Sequence, residues 1–247
     1  TTRLVGSEMC IRDSKCTMNN YEKLEGMVAA TFTPLDENGD VNLSVIDKYA
    51  DWIASTPIKG VFVCGTTGEF SSLTIDERKL ILEKWLVSAR KRFKVIAHVG
   101  SNCQRSAMEL ARHAAQVGAD AIASIAPSFF KPGTVDELVD FFAPICHSAA
   151  GLPFYYYNMP SITGVNLPVD KFLVEGKKKI PNLVGTKFTH NNLMEMGVCI
   201  ELEQHRFEVL HGYDEILISG LAMGAVAGVG STYNYIPNVY QLSLIHI

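Results

Sequence analysis

The chain has no CxxC pair, no HxH or HExxH pair, no GxGxxG turn and no long basic run. Each absence removes a class of function. The six cysteines (Cys10, Cys16, Cys64, Cys103, Cys146, Cys199) form neither a disulfide framework nor a zinc spacing, and several lie in apolar runs where a reduced, buried thiol is expected. Seven dispersed histidines predict no metal centre, and a lone His98 or His211 reads as structural. With 22 Lys plus Arg against 26 Asp plus Glu, the net charge of −4 carries no electrostatic footprint for nucleic acid. The missing GxGxxG removes the main support for a dinucleotide-binding sheet. No Asp, Glu, Lys or Arg lies between Ile216 and Ile247, yet Gly220, Gly224, Gly228, Gly230 and Pro237 interrupt that stretch. It is too broken for a membrane-spanning helix of about 20 residues. A soluble protein with a buried helix and a buried strand there is expected, and with no signal segment and free thiols a cytoplasmic one.

Apolar residues make up 47% of the 247 and charged residues 19%, enough to fill a large core and too apolar for a disordered chain. Short apolar runs at 27–33, 60–64, 94–99, 121–126, 153–157, 183–187, 207–211 and 228–231 read as strands. Helical periodicity follows the first seven, at 42–55, 75–90, 105–117, 138–149, 169–173, 192–203 and 215–223. Thr74 with Glu77 and Thr134 with Glu137 are capping boxes, and Asn192 with Glu195 is a weaker one. Continuously apolar strands imply a parallel sheet covered on both faces, and eight βα units imply a closed (β/α)8 TIM barrel in one domain. Residues 1–17 and 242–247 do not join the pattern and read as non-native extensions, leaving the barrel at 18–241. The eighth helix is expected to be missing or reduced to 235–241.

In such barrels chemistry sits at the C-terminal ends of the strands. Gly65-Thr66-Thr67-Gly68-Glu69 follows the second run, Tyr157 ends the fifth, and Lys187 closes the sixth with Thr189 beyond it. Gly212-Tyr213-Asp214-Glu215 follows the seventh run and Gly230-Ser231-Thr232 the eighth. An amine in the semi-apolar setting of Lys187, with no acid adjacent in sequence, is suited to attack a carbonyl carbon and form a Schiff base. The plainer alternative is a lysine that snorkels to the rim or pairs with Glu69. Tyr157 is a candidate for moving a proton beside it, although Tyr155 and Tyr156 are indistinguishable from it by pattern. Thr66, Thr67 and Gly68 offer hydroxyls and backbone N–H groups for a carboxylate or phosphate. Asp214 and Glu215 either start a helix or accept hydrogen bonds from substrate hydroxyls. Lys177-Lys178-Lys179 reads as a solvated loop.

Taken together, GTTGE at 65–69, YNMP at 157–160, GTK at 185–187, GYDE at 212–215 and GSTYN at 230–234 resemble the pyruvate-dependent class I aldolases of the dihydrodipicolinate synthase superfamily, and within it the N-acetylneuraminate lyases. The resemblance spans about 18–241. It implies a TIM barrel, a homotetramer in full-length form, that cleaves N-acetylneuraminate to N-acetylmannosamine and pyruvate with no metal or diffusible cofactor. Lys187 would carry the covalent imine, Tyr157 the proton, and Thr66, Thr67 and Gly68 the pyruvyl carboxylate. Thr189, Gly212, Asp214, Glu215 and Ser231 would hold the polyol end of the sugar. The rival synthases carry an arginine shortly after the YN-P motif to bind a second carboxylate. Ile162 stands there in this chain and cannot make that contact.

Two departures from the pattern stand out. Ser128-Phe129-Phe130 replaces tyrosines, one of which forms a hydroxyl relay in relatives, and the chain stops where the family continues into an eighth helix and a helical extension. Loss of that helix is expected to cost several kcal/mol. An aldolase for another 2-keto-3-deoxy sugar acid, a synthase-like enzyme and a catalytically silent sugar-binding barrel remain as alternatives.

Overall fold

Valine, isoleucine, alanine and aromatic side chains dominate eight short segments that are buried on both faces, so each can satisfy its backbone only by pairing on both edges. The computed structural model describes residues 21–149 and 151–246. Its strands are β1 (Gly26–Ala30), β2 (Gly60–Val63), β3 (Lys94–His98), β4 (Ala121–Ile125), β5 (Phe154–Asn158), β6 (Leu183–Phe188), β7 (Glu208–His211) and β8 (Ala227–Gly230). Every neighbouring pair is parallel, and β8 pairs back onto β1, closing the barrel in sequence order.

The helices are α1 (Val45–Ala54), α2 (Ile75–Ala89), α3 (Gln104–Val117), α4 (Val135–Ser148), α5 (Pro160–Thr163), α6 (Val169–Lys179), α7 (Leu193–Glu201), α8 (Leu217–Ala222) and α9 (Pro237–His246). The Thr74–Glu77 capping box is complete at the start of α2. Thr134 caps the Glu137 N–H at α4, but the Glu137 carboxylate accepts from Gly133 N instead of the cap residue, at 2.6 Å. Asn192 likewise accepts from Glu195 N.

Three expectations are corrected. An eighth helix is present: α9 follows β8 and extends through residues 242–246, which had been set apart from the fold, and Leu244 packs on the core. Lys177, Lys178 and Lys179 form the last turn of α6 rather than a loop. Their charges there complement the helix dipole, which carries the helix well past 173. The short α5 was not anticipated. The expectation for residues 1–17 lies outside the described residues.

Strand parity divides the core in two. Val28, Phe62, Ile96, Ala123, Tyr155, Tyr157, Leu210 and Val229 fill the barrel interior. Val61, Val63, Phe154 and Tyr156 face the helical shell. At the N-terminal floor the buried Glu208 carboxylate accepts from Tyr21 Oη (2.6 Å), Tyr155 Oη (2.8 Å) and Leu24 N (3.0 Å). Directly opposite Glu208 lies Gly185, where any Cβ would overlap the Glu208 carbonyl oxygen, so this register requires glycine. Asn234 closes the seam. Its amide donates to Ala30 O (2.7 Å), and its oxygen accepts from Tyr49 Oη (2.6 Å) on α1.

Candidate active site

The pleat that fills the barrel also aims the chemistry. Lys187 lies in register with Tyr157 on β5 and Leu210 on β7, all three pointing inward at the C-terminal end. Its side chain is buried (4% exposed), with Nζ 4.0 Å from the Tyr157 ring centroid and 4.2 Å from that of Phe62. Two aromatic faces therefore cradle the amine. Pairing with Glu69 is not what the structure shows: Glu69 is exposed, in the left-handed region (φ 55°), and among the described residues Lys187 has no carboxylate partner.

Geometry also separates the three tyrosines. Tyr155 reaches down to Glu208, and Tyr156 faces outward against Phe142 and Phe172, with ring centroids 5.4 and 4.6 Å away. Only Tyr157 reaches the mouth, where its hydroxyl lies 3.1 Å from Thr66 Oγ1 and 3.1 Å from Met159 Sδ. The 65–69 turn is thereby tied to the lysine layer. Its backbone is compact: Glu69 N donates to Thr66 O (3.0 Å), and Thr33 Oγ1 to Gly68 O (2.7 Å). Thr66 and Thr67 are half-buried, and Gly68 is buried.

A second group gathers on β6, β7 and β8 at the same end. Thr189 is buried with no partner for its Oγ1, and it packs so closely on Gly212 that a Cβ there would overlap that hydroxyl. One oxygen of the buried Asp214 carboxylate accepts from Thr232 N (2.8 Å) and Thr232 Oγ1 (2.6 Å). That latch orients the carboxylate and leaves acceptor capacity on the other oxygen. Ser231 is half-buried beside it, and Glu215 is exposed.

Sequence reasoning missed Phe62, Met159 and Thr232. Inward parity two residues before Cys64 was the available signal for Phe62, and membership of YNMP and GSTYN that for the other two. His98 matches the structural expectation. It is buried with its ring in the mouth layer, 5.8 Å from that of Tyr157, and Nδ1 lies 2.8 Å from Cys64 O. Burial, reinforced by the Arg78 charge, holds its proton affinity well below the usual value, so at neutral pH the ring is uncharged and Nδ1–H is the donor. Of the cysteines, Cys64, Cys146 and Cys199 are buried and Cys103 is exposed, while Cys10 and Cys16 lie outside the described residues.

No cluster of three or more His, Cys, Asp or Glu side chains suited to a metal ion occurs among the described residues, and no helix among them is long and apolar enough to cross a membrane. A cleft of about 860 Å³ lies at the opposite end of the barrel, lined by Lys59, Lys91, Lys94 and Asp120 among others. It contains none of the convergent groups described above.

The chain matches the dihydrodipicolinate synthetase family over residues 23–245. It belongs to that family. Within the family it is 46% identical to the N-acetylneuraminate lyase of Gallus gallus over 230 residues, covering 92% of this chain and 75% of that protein. The solved N-acetylneuraminate lyase of Proteus mirabilis superposes with a TM-score of 0.87 at 38% identity, over 89% of this chain and 74% of that one. A dihydrodipicolinate synthase from Aquifex aeolicus superposes nearly as well (TM-score 0.83, covering 90% and 76%), but at 28% identity. The family fold is thus shared by both branches, and the residue identities lean toward the lyases. Ile162, where the synthases resembled in sequence carry arginine, is exposed on α5. Ser128, in place of a relay tyrosine, instead bonds Asn102 Oδ1 through its N (2.8 Å) and Oγ (3.3 Å).

Proposed function

We propose that the protein is a class I aldolase that cleaves N-acetylneuraminate to N-acetylmannosamine and pyruvate through an imine on Lys187. The observation that carries this reading is Lys187 itself, a buried amine between two aromatic faces with Tyr157 and Thr66 beside it. In this reading Nζ adds to the keto carbon and water leaves, giving a protonated imine. The bond between the two carbons beyond the keto carbon then breaks. Its electron pair flows into the imine, and the departing carbon becomes an aldehyde as its hydroxyl loses a proton through Tyr157. The resulting enamine takes a proton at carbon, and water releases pyruvate from Lys187.

Thr66, Thr67 and Gly68 would hold the carboxylate next to the reacting carbon. Thr189, Gly212, Asp214, Glu215 and Ser231 would hold the polyol. Acceptor carboxylates opposite a neutral polyol suit a sugar better than the second carboxylate a synthase must bind, and Ile162 has no charge to offer one. The free buried thiols Cys64, Cys146 and Cys199 suit a cytoplasmic location, while a homotetramer comes with the family resemblance and is checked by light scattering.

Borohydride reduction in the presence of pyruvate tests the proposal. The expected product is one pyruvyl adduct per chain, mapped by peptide mass to Lys187, together with loss of cleavage in Lys187→Ala. Full lyase activity in Lys187→Ala would falsify the mechanism. Binding of the sugar acid with no adduct, on a folded sample, would leave a silent barrel.

A further inference from the structure

Arg78 is a buried cation to which the reaction assigns no role. It projects from α2 with 4% exposure, and its guanidinium donates to His98 O (2.7 Å) and Gly100 O (2.9 Å), while Nε has no partner. Among the described residues, carbonyl dipoles and a thiol are its polar company. It faces Cys64, and no acidic group among the described residues acts on it. Burial pulls its proton affinity down to about 10, and the Cys64 thiol is pushed up to about 11, so at neutral pH the arginine is charged and the thiol is not. A buried charge without a counter-charge is costly, and its field reaches further than a surface charge's because little water screens it.

Arg78 touches the two residues that flank the 65–69 turn. Cys64 precedes the turn in a left-handed conformation (φ 54°), and Phe70 follows it with its ring 5.3 Å below the guanidinium. The carbonyl of Cys64 accepts from His98, whose own carbonyl accepts from Arg78. One side chain therefore grips both ends of the turn and the exit of β3.

We infer that Arg78 is a positioning residue that holds the 65–69 turn from behind and makes it selective for an anionic 2-oxo substrate, the bound carboxylate supplying the counter-charge that the fold withholds. This rests on the aldolase reading and adds to it the source of carboxylate selectivity. Backbone N–H groups and hydroxyls alone would accept a neutral carbonyl-bearing group almost as well.

The test compares half-saturating concentrations for borohydride trapping by pyruvate and by its neutral isostere pyruvamide. Arg78→Met should weaken pyruvate on the order of tenfold, the effect expected of one poorly screened charge at an effective dielectric near 20. Pyruvamide should shift by less than about twofold, and Arg78→Lys should keep most of the pyruvate preference. Cys64→Asp neutralises the charge without removing the guanidinium, and Asp tolerates the left-handed backbone. It should lose the same selectivity, and it decides the matter if Arg78→Met does not fold. Equal weakening of both ligands, no weakening of either, or unfolding of both variants would overturn the inference by reducing Arg78 to a structural residue. Failure of the unaltered protein to form an adduct with either compound would instead sink the aldolase reading.

Discussion

A hydroxyl and a ring do different work at Tyr157. Its ring faces the Lys187 amine at 4.0 Å, and its hydroxyl meets Thr66 at 3.1 Å. Tyr157→Phe removes only the second, so the aromatic cradle survives and the proton path does not. The cleavage kcat should fall by about 10²- to 10⁴-fold, the usual contribution of a positioned acid–base group, while borohydride still traps pyruvate on Lys187. Steady-state cleavage and mass-resolved trapping on the same sample check this. Loss of both signals together would mean that the hydroxyl is needed for imine formation as well. At this scale the sequence could nominate Tyr157 but not separate it from Tyr155 and Tyr156. Only the β5 register against Gly185, Thr186 and Lys187 does that. Arg78 was invisible for a related reason, since an arginine on an amphipathic helix reads as solvated until the helix is docked.

At the scale of elements, the alternation of apolar runs and capped helices was legible because it reflects local physics. A strand buried on both faces must be apolar throughout, and a helix start needs a side chain to take up its orphan N–H groups. Thr74 illustrates this, its hydroxyl accepting from Glu77 N at 3.2 Å while Glu77 returns a bond to Thr74 N at 2.7 Å. Thr74→Ala should destabilise the protein by about 1 kcal/mol, read as a lower urea midpoint with unchanged slope. No change would mean that α2 is held by packing alone. What stayed hidden was non-local. Three consecutive lysines suggest a loop until one sees that they end α6, where their charge favours the helix. Glu208 sits between the apolar Phe207 and Val209, and its partner Tyr21 lies 187 residues away, so no window of sequence could pair them. The eighth helix, expected to be missing or reduced to 235–241, runs over Pro237–His246.

Barrel closure sets how the whole molecule responds to acid. It buries His98 in the mouth layer and His211 beneath α8, and burial lowers the proton affinity of both, well below 6.5 for His98. The folded state therefore stays unprotonated at these rings while the unfolded chain takes up protons below about pH 6.5. Stability is complete above that pH and declines as pH falls. Between pH 6.5 and 5.0 His98, whose proton affinity is lowered the further of the two, should carry most of that decline. The carboxylates Glu22, Asp47 and Glu77, held below their usual range by hydrogen bonds from Lys94, Lys84 and Thr74 respectively, titrate at lower pH and leave this window clear. His98→Gln can still donate to Cys64 O yet cannot be protonated. Urea unfolding of both proteins at pH 7.5, 6.5, 5.8 and 5.0 should show the variant less stable at pH 7.5 but with a shallower decline. Parallel declines would mean that His98 is protonated in the fold, its ring then donating from both nitrogens, and that the uncharged imidazole assigned to the mouth layer is wrong.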